Sequence, residues 1–311
     1  MRKHVLTTDH LRIGNQGVLL IAVGLLSISQ ITCVQYNECL SSTGDRIGQA
    51  AIDFDIRRSV VRTQETPVGN VVADALFDAA QRYCETGANP CPDFALQNAG
   101  GIRPETSCGL RDEIPSGPIF EQDVIDLLPF ENELAVVRLT GTDIKLALEH
   151  AVSQLGQSGE SAQAGYFLQV SHLQFNVDCS QEAQVPRADG SGLAQQGSRI
   201  QGIHYEQNGD LIPLDEEQEY EVAINTYIAS GNDGFLAFLL RNGTELILDD
   251  DDNPIPKFNE DQDHVRTNAG AIYTDQQAVV DQFIISAAQD SALGRPPENR
   301  IQLNNNCFLG Q

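Results

Sequence analysis

Apolar residues recur at three- and four-residue spacing over residues 67–84, which predicts a helix with one buried face. Thr66 and Pro67 stand at its start, where a hydroxyl cap and a residue without an N–H are both favourable. The same kind of pattern predicts three more helices, over residues 121–128, 143–155 and 275–289. Thr142 is the expected cap of the second of these three.

Runs of β-branched and aromatic residues predict strands, which make the second half of the chain strand-rich. The predicted strands cover residues 51–56, 93–97, 133–140, 166–177, 199–206 and 220–228. Asn208-Gly209 predicts a two-residue hairpin turn after the fifth of them. Residues 156–164 and 178–198 are polar and rich in turn-forming residues, so we expect a mobile loop and a surface insertion there.

The N-terminus carries the pattern of an export signal, in which basic residues precede an uncharged apolar run over residues 17–28. This run of 12 residues is short for a membrane span, which needs about 20 residues. We therefore expect an export segment over residues 1–32, a linker over 33–45, no stable membrane span, and a periplasmic or secreted protein. Cys33 is an alternative site for a lipid anchor, although the residues before it fit that motif poorly.

Composition narrows the choice of ligands and compartment. The 311 residues include 44 acidic and 19 basic side chains, a net charge of −25, which argues against a nucleic-acid partner because phosphate backbones need clustered cations. Most of the cations are arginines, which suit bidentate recognition of phosphate or carboxylate. Seven cysteines fit an oxidising compartment. Cys84 and Cys91 bracket a turn-rich loop, and we expect them to form a disulfide.

A glycine-bearing polar turn, Gln97-Asn98-Ala99-Gly100-Gly101-Ile102-Arg103, follows the strand predicted at 93–97. Paired glycines leave room for a ligand, and an amide and a guanidinium beside them can converge on one polar or anionic group. Alone, such a turn is more often structural. Four further groups of motifs accompany it: Arg58 and Arg62 with Glu65–Ala75, then Leu128–Asn132, then Leu139–Gly141, and then Asn225–Phe235.

In this order, the motifs resemble the C-terminal, substrate-binding domain of the 5'-nucleotidase and UDP-sugar hydrolase family. The resemblance runs from about residue 46 to about residue 301. We assign residues 46–303 to this domain and residues 304–311 to a tail. The resemblance implies an α+β fold in which a mixed β-sheet is flanked by helices.

The resemblance also implies a nucleotide site. In the family, three arginines hold the phosphate, two aromatic rings sandwich the base, a carboxylate bonds to the ribose hydroxyls, and asparagines contact the base or neighbouring groups. The matching residues, with the second glycine of the turn, are Arg58, Arg62, Arg103, Phe130, Tyr227, Asp233, Asn98, Asn132 and Gly101. The alternatives are that the arginines pair with the many acidic residues and that Phe130 is an ordinary core residue.

One position departs from the family pattern, because Asn232 stands where Gly-Gly-Asp-Gly is commoner. Asparagine tolerates left-handed geometry, so we expect the turn to be kept. Two other motifs are interpreted as structural. The acidic run Asp249–Asp252 is expected to be a solvated loop rather than a calcium loop, and Ser171 and His172, as strand neighbours, are expected to face opposite sides.

The family resemblance implies a partner domain, a metallophosphoesterase that binds two metal ions and cleaves the phosphate ester. Its ligand motifs (Asp-x-His, Asn-His-acid and His-x-His) do not occur around the six histidines of this sequence. We therefore expect no metal or other cofactor in this chain, and hydrolysis to need a separate metallophosphoesterase domain.

The leading interpretation is an exported domain of the nucleotidase family that binds a small nucleotide or nucleoside. A stand-alone binding protein without an enzymatic partner is the first alternative. A truncated gene product with relic pocket residues is the second, and the export signal directly before the domain argues against it. The base preference stays open.

Overall fold

The computed structural model describes residues 44–84, 90–106, 109–188, 191–242, 245–249, 251, 253–260, 262–267 and 269–308. The predicted export segment and most of the predicted linker lie outside this part of the chain, as do Cys33 and the end of the tail. Within it, no helix is both long enough and apolar enough to cross a membrane.

Six helices are interspersed among the strands of the described chain. The helices are α1 (Arg58–Val61), α2 (Pro67–Cys84), α3 (Glu121–Leu127), α4 (Gly141–Ala151), α5 (Thr226–Ala229) and α6 (Asp275–Ala288). The strands are β1 (Arg46–Ala50), β2 (Phe54–Asp55), β3 (Phe94–Asn98), β4 (Glu105–Thr106), β5 (Gly109–Leu110), β6 (Glu113–Ile114), β7 (Gly117–Phe120), β8 (Leu134–Thr140), β9 (Leu168–Ser171), β10 (Leu173–Val177), β11 (Val185–Pro186), β12 (Leu193–Gln195), β13 (Ile200–Gln207), β14 (Asp210–Pro213), β15 (Glu219–Asn225), β16 (Arg241–Asn242), β17 (Glu245–Leu246) and β18 (Ile301–Leu303).

The central sheet has the strand order β8-β15-β3-β9. Strands β15 and β3 run parallel, with Ile224 opposite Leu96, whereas β8 and β9 are antiparallel to their neighbours. Every residue of β3 is buried, as expected for an inner strand that is covered on both faces. The prediction of an α+β fold with a mixed sheet flanked by helices is confirmed.

Helix α2 packs against this sheet, and the contact also anchors the loop that leads into α2. A Cβ on Gly69 would lie 2.3 Å from the side chain of Gln169 on β9, so only glycine allows this approach. The buried Gln169 amide donates to the carbonyls of Val61 and Gln64, each at 2.8 Å, and accepts from the N–H of Thr66 at 3.2 Å. The segment that carries two of the predicted phosphate-binding arginines, Arg58 and Arg62, is thereby fixed to the sheet.

A second sheet has the order β14-β13-β10-β18, and β10 joins it to the central sheet. His172 separates β9 from β10 with a φ of 56°, and this left-handed residue directs the chain from one sheet to the other. Two disulfides are present in the described chain, the expected Cys84–Cys91 and a second bond, Cys179–Cys307, which no sequence pattern predicted.

Several predicted elements are confirmed within a residue or two, namely α2, β3, α3, β8, β13 and α6, together with the Asn208-Gly209 hairpin. The predicted cap of α4 is wrong. Thr140 caps it by accepting from the N–H of Asp143 at 3.2 Å, while the Asp143 carboxylate accepts from the N–H of Thr140 at 3.1 Å. This reciprocal pair starts the helix at Gly141, and the helix ends at Ala151 rather than at residue 155.

Three predicted strands are also corrected. Of the strand at 51–56, only Phe54–Asp55 is a strand, β2, and it is separated from the preceding β1 by a bend at residues 51–52. The strand at 166–177 is broken at His172. The strand at 220–228 ends at Asn225, because the Asn225 side chain accepts from the N–H of Ile228 at 3.2 Å and caps α5. Tyr227 therefore lies on a short helix.

Ser171 and His172 do not face opposite sides as predicted. The left-handed φ of His172 brings its Nδ1 to 2.9 Å from the Ser171 hydroxyl. Ser171 is nevertheless fully buried, and its hydroxyl also bonds to the Asp74 carboxylate at 2.6 Å. The pair is part of the packing and offers no accessible nucleophile.

Candidate functional site

The ends of β3 and β15 form the base of the candidate site. Because these strands are parallel, their last residues, Asn98 and Asn225, lie at the same edge of the sheet. The Asn225 amide donates to Asn98 Oδ1 at 2.9 Å and to Gln97 Oε1 at 3.2 Å. All three side chains are buried, so the network fixes the direction of the chain as it leaves each strand.

The glycine turn leaves β3 as a 3₁₀ turn, Ala99–Gly101. The N–H of Gly100 donates to the carbonyl of Gly165 at 2.6 Å, and a Cβ on Gly100 would lie 2.9 Å from that oxygen. At Gly101, a Cβ would lie 2.6 Å from the Gln97 amide. Both glycines are thus required by the close packing of the turn, and Gly101 acts on the site through Gln97.

Asp233 lies in the loop after α5 with a left-handed φ of 57°. Its carboxylate accepts from the Tyr227 hydroxyl at 3.0 Å and from the Asn98 amide at 3.4 Å. The Asn232 amide, at the position that departs from the family pattern, donates to the Tyr227 carbonyl at 2.8 Å. Burial and the bond to the Asp233 carboxylate raise the pKa of Tyr227, so its hydroxyl stays a donor.

His150 on α4 contacts the backbone of the loop that carries Asp233. Its Nε2 lies 2.9 Å from the Asp233 carbonyl, which requires the N–H on that nitrogen. The ring packs against Tyr166 and Phe235 at centroid distances of 4.2 and 4.9 Å. Burial lowers the pKa of His150 and favours the neutral ring. No sequence signal points to this role, because the histidine belongs to none of the motifs discussed above.

The three predicted phosphate-binding arginines lie close together. Arg58 begins α1 and Arg62 follows its last residue, so the two side chains leave the same short helix, while Arg103 follows the glycine turn. Burial, followed by repulsion from Arg58 and Arg103, lowers the pKa of Arg62 to about 10. Burial and Arg58 likewise lower the pKa of Arg103. Arg58 and Arg103 also share one partner, the Glu105 carboxylate, so their guanidinium groups converge on the same side chain.

Glu105 is the acidic member of this cluster, and none of the sequence motifs includes it. Its carboxylate pairs with Arg58 Nη2 and accepts from Arg103 Nε at 3.0 Å. The alternative in which the arginines pair with acidic residues is therefore true in part. It does not account for Arg62, which donates to the Gln163 carbonyl at 3.4 Å.

The two predicted stacking rings are exposed, Phe130 by 56% and Tyr227 by 42%. The ordinary core role considered for Phe130 is therefore wrong. The Arg103 guanidinium lies 5.5 Å from the centroid of the Phe130 ring, in cation–π range. This contact joins the aromatic part of the site to the arginine cluster.

Asn132 is placed differently from the other candidates. Its amide donates to the Asp275 carboxylate at 3.2 Å, and its carbonyl accepts from the N–H of Asp275 at 2.9 Å. Burial raises the pKa of Asp275 to about 7. Asn132 thus ties the Phe130 loop to the start of α6, and its amide is already engaged without a ligand.

The contacts join most of the predicted site into one surface. Asn98, Tyr227 and Asp233 form one group, and Arg58, Arg103 and Phe130 form another. Arg103 Nη1 donates to the Gly100 carbonyl at 3.4 Å, in the turn that follows Asn98, and this bond links the two groups. The described residues contain no group of three or more His, Cys, Asp and Glu side chains placed to hold a metal ion.

A separate cleft of about 450 Å³ lies elsewhere on the domain, between α2, α6 and the chain around residues 291–300. Its lining includes Asp74, Asp78 and Glu298, and it contains none of the nine predicted site residues. The Arg300 side chain in this cleft is already bonded to Asp74 and Glu298. The candidate site is therefore the open surface around Phe130 and Tyr227.

Comparison with known proteins identifies the class of this fold and site. The sequence profile described as "5'-nucleotidase, C-terminal domain" matches residues 46–239. This match covers more than half of the chain, so the chain belongs to the 5'-nucleotidase family through its C-terminal domain. The family resemblance inferred from the motifs is confirmed.

Two relatives and one solved structure illustrate the similarity. The trifunctional nucleotide phosphoesterase protein YfkN of Bacillus subtilis is 30% identical over 203 residues, which are 65% of this chain and 12% of that protein. The cell wall protein Lmo0130 of Listeria monocytogenes is 30% identical over 228 residues, 72% of this chain and 24% of that protein. The crystal structure of a 5'-nucleotidase precursor from Thermus thermophilus superimposes with a TM-score of 0.59 at 28% identity, covering 92% of this chain and 43% of that one.

The chain thus spans less than half of each of these proteins. What the comparison establishes for this chain is the C-terminal domain of a nucleotide-metabolising family.

Proposed function

We propose that this domain binds a nucleotide or nucleoside on the surface formed by Phe130, Tyr227, Asp233 and the arginine cluster (Arg58, Arg62 and Arg103). The supporting observation is the joining of two exposed rings, an oriented carboxylate and three guanidinium groups on one surface. A nucleotide has three parts with matching chemistry: a base that stacks on rings, ribose hydroxyls that donate to a carboxylate, and a phosphate that accepts from guanidinium groups.

We further propose that the domain supplies the substrate-binding half of a phosphoesterase. The metal-ligand motifs of the family do not occur in this sequence, and the named phosphoesterase relative is much longer than the match. In this proposal, a metallophosphoesterase domain holds two divalent metal ions that supply the hydrolytic chemistry. The residues of this chain bind and orient the nucleotide so that its phosphate faces that domain.

Location outside the cytoplasm is part of the same proposal. The apolar run near the N-terminus and the two disulfides of the domain both suit an oxidising compartment. The Listeria relative is named a cell wall protein. We propose export to the periplasm or the medium.

Calorimetric titration of the purified chain with AMP and with adenosine tests the binding proposal. Stacking and charge-assisted bonds are offset by the cost of association, so we expect dissociation constants on the order of micromolar to millimolar. Failure of both ligands to bind at millimolar concentration would contradict nucleotide recognition.

A phosphate-release assay tests the catalytic part. We expect no release from AMP by the chain alone with zinc, manganese or cobalt, and release when a metallophosphoesterase domain of the family is added. Metal-dependent release that copurifies with this chain alone would contradict the division of labour.

A further inference from the structure

Glu105 occupies the part of the arginine cluster that an anionic ligand would need. Its two carboxylate oxygens are divided between Arg58 Nη2 and Arg103 Nε. The three side chains keep 34%, 41% and 26% of their surface exposed, in the order Glu105, Arg58 and Arg103, so the contacts are open to solvent. A phosphate group can therefore reach the guanidinium groups that Glu105 now holds.

Glu105 leaves the cluster incompletely paired. Arg58 Nε and Arg62 Nε are both buried and have no hydrogen-bond partner. An unpaired buried donor carries a desolvation cost that an added acceptor removes. The Asp233 carboxylate, in the other group of the site, already accepts from Tyr227 and Asn98. The arrangement lacks acceptors, and one carboxylate holds the most accessible donors.

We propose that Glu105 is an internal competitor for the phosphate group and that a phosphomonoester displaces it from Arg58 and Arg103. This inference rests on the proposed role of the arginine cluster as the phosphate site. Phosphate and carboxylate oxygens recognise guanidinium edges in the same way, so the two cannot hold the same edges together. Glu105 lies on the short strand β4, partly exposed, and its side chain can turn into solvent when it is displaced.

The competition also selects the class of anion. A phosphomonoester carries about 1.5 to 2 negative charges at neutral pH and three acceptor oxygens. It replaces the one carboxylate and also supplies acceptors for the unpaired donors. A singly charged carboxylate ligand merely replaces Glu105 with a like group. Glu105 therefore favours phosphomonoesters over carboxylates at this site.

Glu105→Gln tests the inference, because it keeps the size of the side chain and removes the charge. Calorimetry on the whole chain with inorganic phosphate, AMP and adenosine is the measurement. We expect phosphate and AMP to bind about 3- to 30-fold more tightly, since two partly exposed ion pairs no longer have to be broken. Adenosine has no phosphate, and its affinity should change by less than about twofold.

Two controls isolate the cause. Glu216→Gln removes the same charge from a pair with Lys145, 2.6 Å apart, and should change none of the three affinities. Glu105→Asp keeps the charge and should bind phosphate more like the wild type than like the glutamine variant. If glutamine disturbs β4, Glu105→Ser provides the same loss of charge in a second variant.

Unchanged or weaker phosphate binding by Glu105→Gln would overturn the inference and show that Glu105 positions the arginines for the ligand. The inorganic phosphate titration distinguishes this failure from failure of the proposed function. Suppose that the variant binds inorganic phosphate more tightly, but that AMP binds no better than inorganic phosphate and adenosine does not bind. The competition by Glu105 then stands, and the proposal of nucleotide recognition fails.

Discussion

The loop around Asp233 and the arginine cluster are the two ends of the candidate site, and they are built in opposite ways. The Asp233 carboxylate is held by hydrogen bonds from Tyr227 and Asn98, and its backbone is held by His150. The arginine cluster repels itself and leaves two buried donors without partners. One end is already ordered by hydrogen bonds, whereas the other has one carboxylate, Glu105, for its three guanidinium groups.

This difference has a consequence for binding. Changes at the Asp233 end should affect any ligand with a base and a ribose, and changes at the arginine end should affect only ligands with a phosphate. Comparing AMP with adenosine therefore assigns each residue to one end.

Arg103→Ala should give the largest effect. Charge-assisted hydrogen bonds contribute about 1.5–3 kcal/mol each, so we expect AMP to bind roughly 10- to 150-fold more weakly. Adenosine has no phosphate and should lose much less, through the contacts of Arg103 with Phe130 and with the Gly100 carbonyl. Arg57→Ala is the matched control, because Arg57 is a neighbouring arginine that pairs with Asp55. An unchanged AMP-to-adenosine ratio in Arg103→Ala would mean that the arginine cluster is structural.

Tyr227→Ala should weaken AMP and adenosine alike, by about 5- to 150-fold, because stacking of a base on a ring contributes roughly 1–3 kcal/mol. Tyr227→Phe separates the ring from its hydroxyl. It keeps the stacking face and removes the bond to Asp233, so only a few-fold loss is expected. A loss of affinity for AMP alone would place Tyr227 at the arginine end of the site and contradict its role in stacking the base.

His150→Phe should give a smaller and more selective effect. The new ring keeps the packing against Tyr166 and Phe235 but cannot donate to the Asp233 carbonyl, a bond worth about 0.5–1.5 kcal/mol. We expect adenosine to bind about 2- to 10-fold more weakly and 2',3'-dideoxyadenosine to be unaffected, because the latter lacks the hydroxyls that we propose Asp233 accepts from.

His204→Phe is the control for His150→Phe, since His204 bonds to the Gly202 carbonyl in a strand of the second sheet. Equal losses for adenosine and its dideoxy analogue in His150→Phe would show that the histidine supports the fold in general and not the carboxylate.

The sequence predicted the elements whose signals are local. Helix α2 has a hydroxyl cap, a proline and a regular apolar face, and its bounds are correct. The start of α4 was misplaced because Thr140 and Thr142 are equally suitable caps, and only the reciprocal bond to Asp143 decides between them. Helix α5 was missed because its residues continue the apolar run of β15, so nothing in the pattern marks the strand's end.

At the candidate site, the motifs proposed residues but not their partners. Family motifs pointed to Asp233 and Arg103, yet His150 and Glu105 gave no signal, because each contacts these residues only in the folded chain. Glu105 is near its partner Arg103 in sequence but also needs Arg58, which is 47 positions away. Asn132 matched a motif, and only the structure shows its amide bonded to Asp275.

Asp275→Asn should have the smallest effect on binding, because Asp275 acts beneath the Phe130 loop and outside both ends of the site. Burial raises the pKa of its carboxyl from 3.8 to about 7. Between these values the folded chain holds a proton that the unfolded chain has lost. The free energy of unfolding contributed by this group is therefore full below about pH 4, falls as the pH rises, and is lost above about pH 7.

Asparagine keeps an acceptor for the Asn132 amide and cannot ionise, so the variant should lose this part of the pH dependence. We expect thermal unfolding of Asp275→Asn to vary less between pH 5 and 8 than that of the wild type, with the variant more stable at pH 8 by roughly 1–3 kcal/mol. Adenosine affinity should change by less than about twofold.

The control for this variant is Asp55→Asn, since the bond to Arg57 lowers the pKa of Asp55 and its contribution is lost only at lower pH. It should leave the slope between pH 5 and 8 unchanged. If Asp275→Asn also leaves that slope unchanged, the Asp275 carboxyl is ionised throughout this range. The Phe130 loop would then be held by a charged carboxylate, and the contrast between an end ordered by hydrogen bonds and an end with unpaired donors would not extend to the support of this loop.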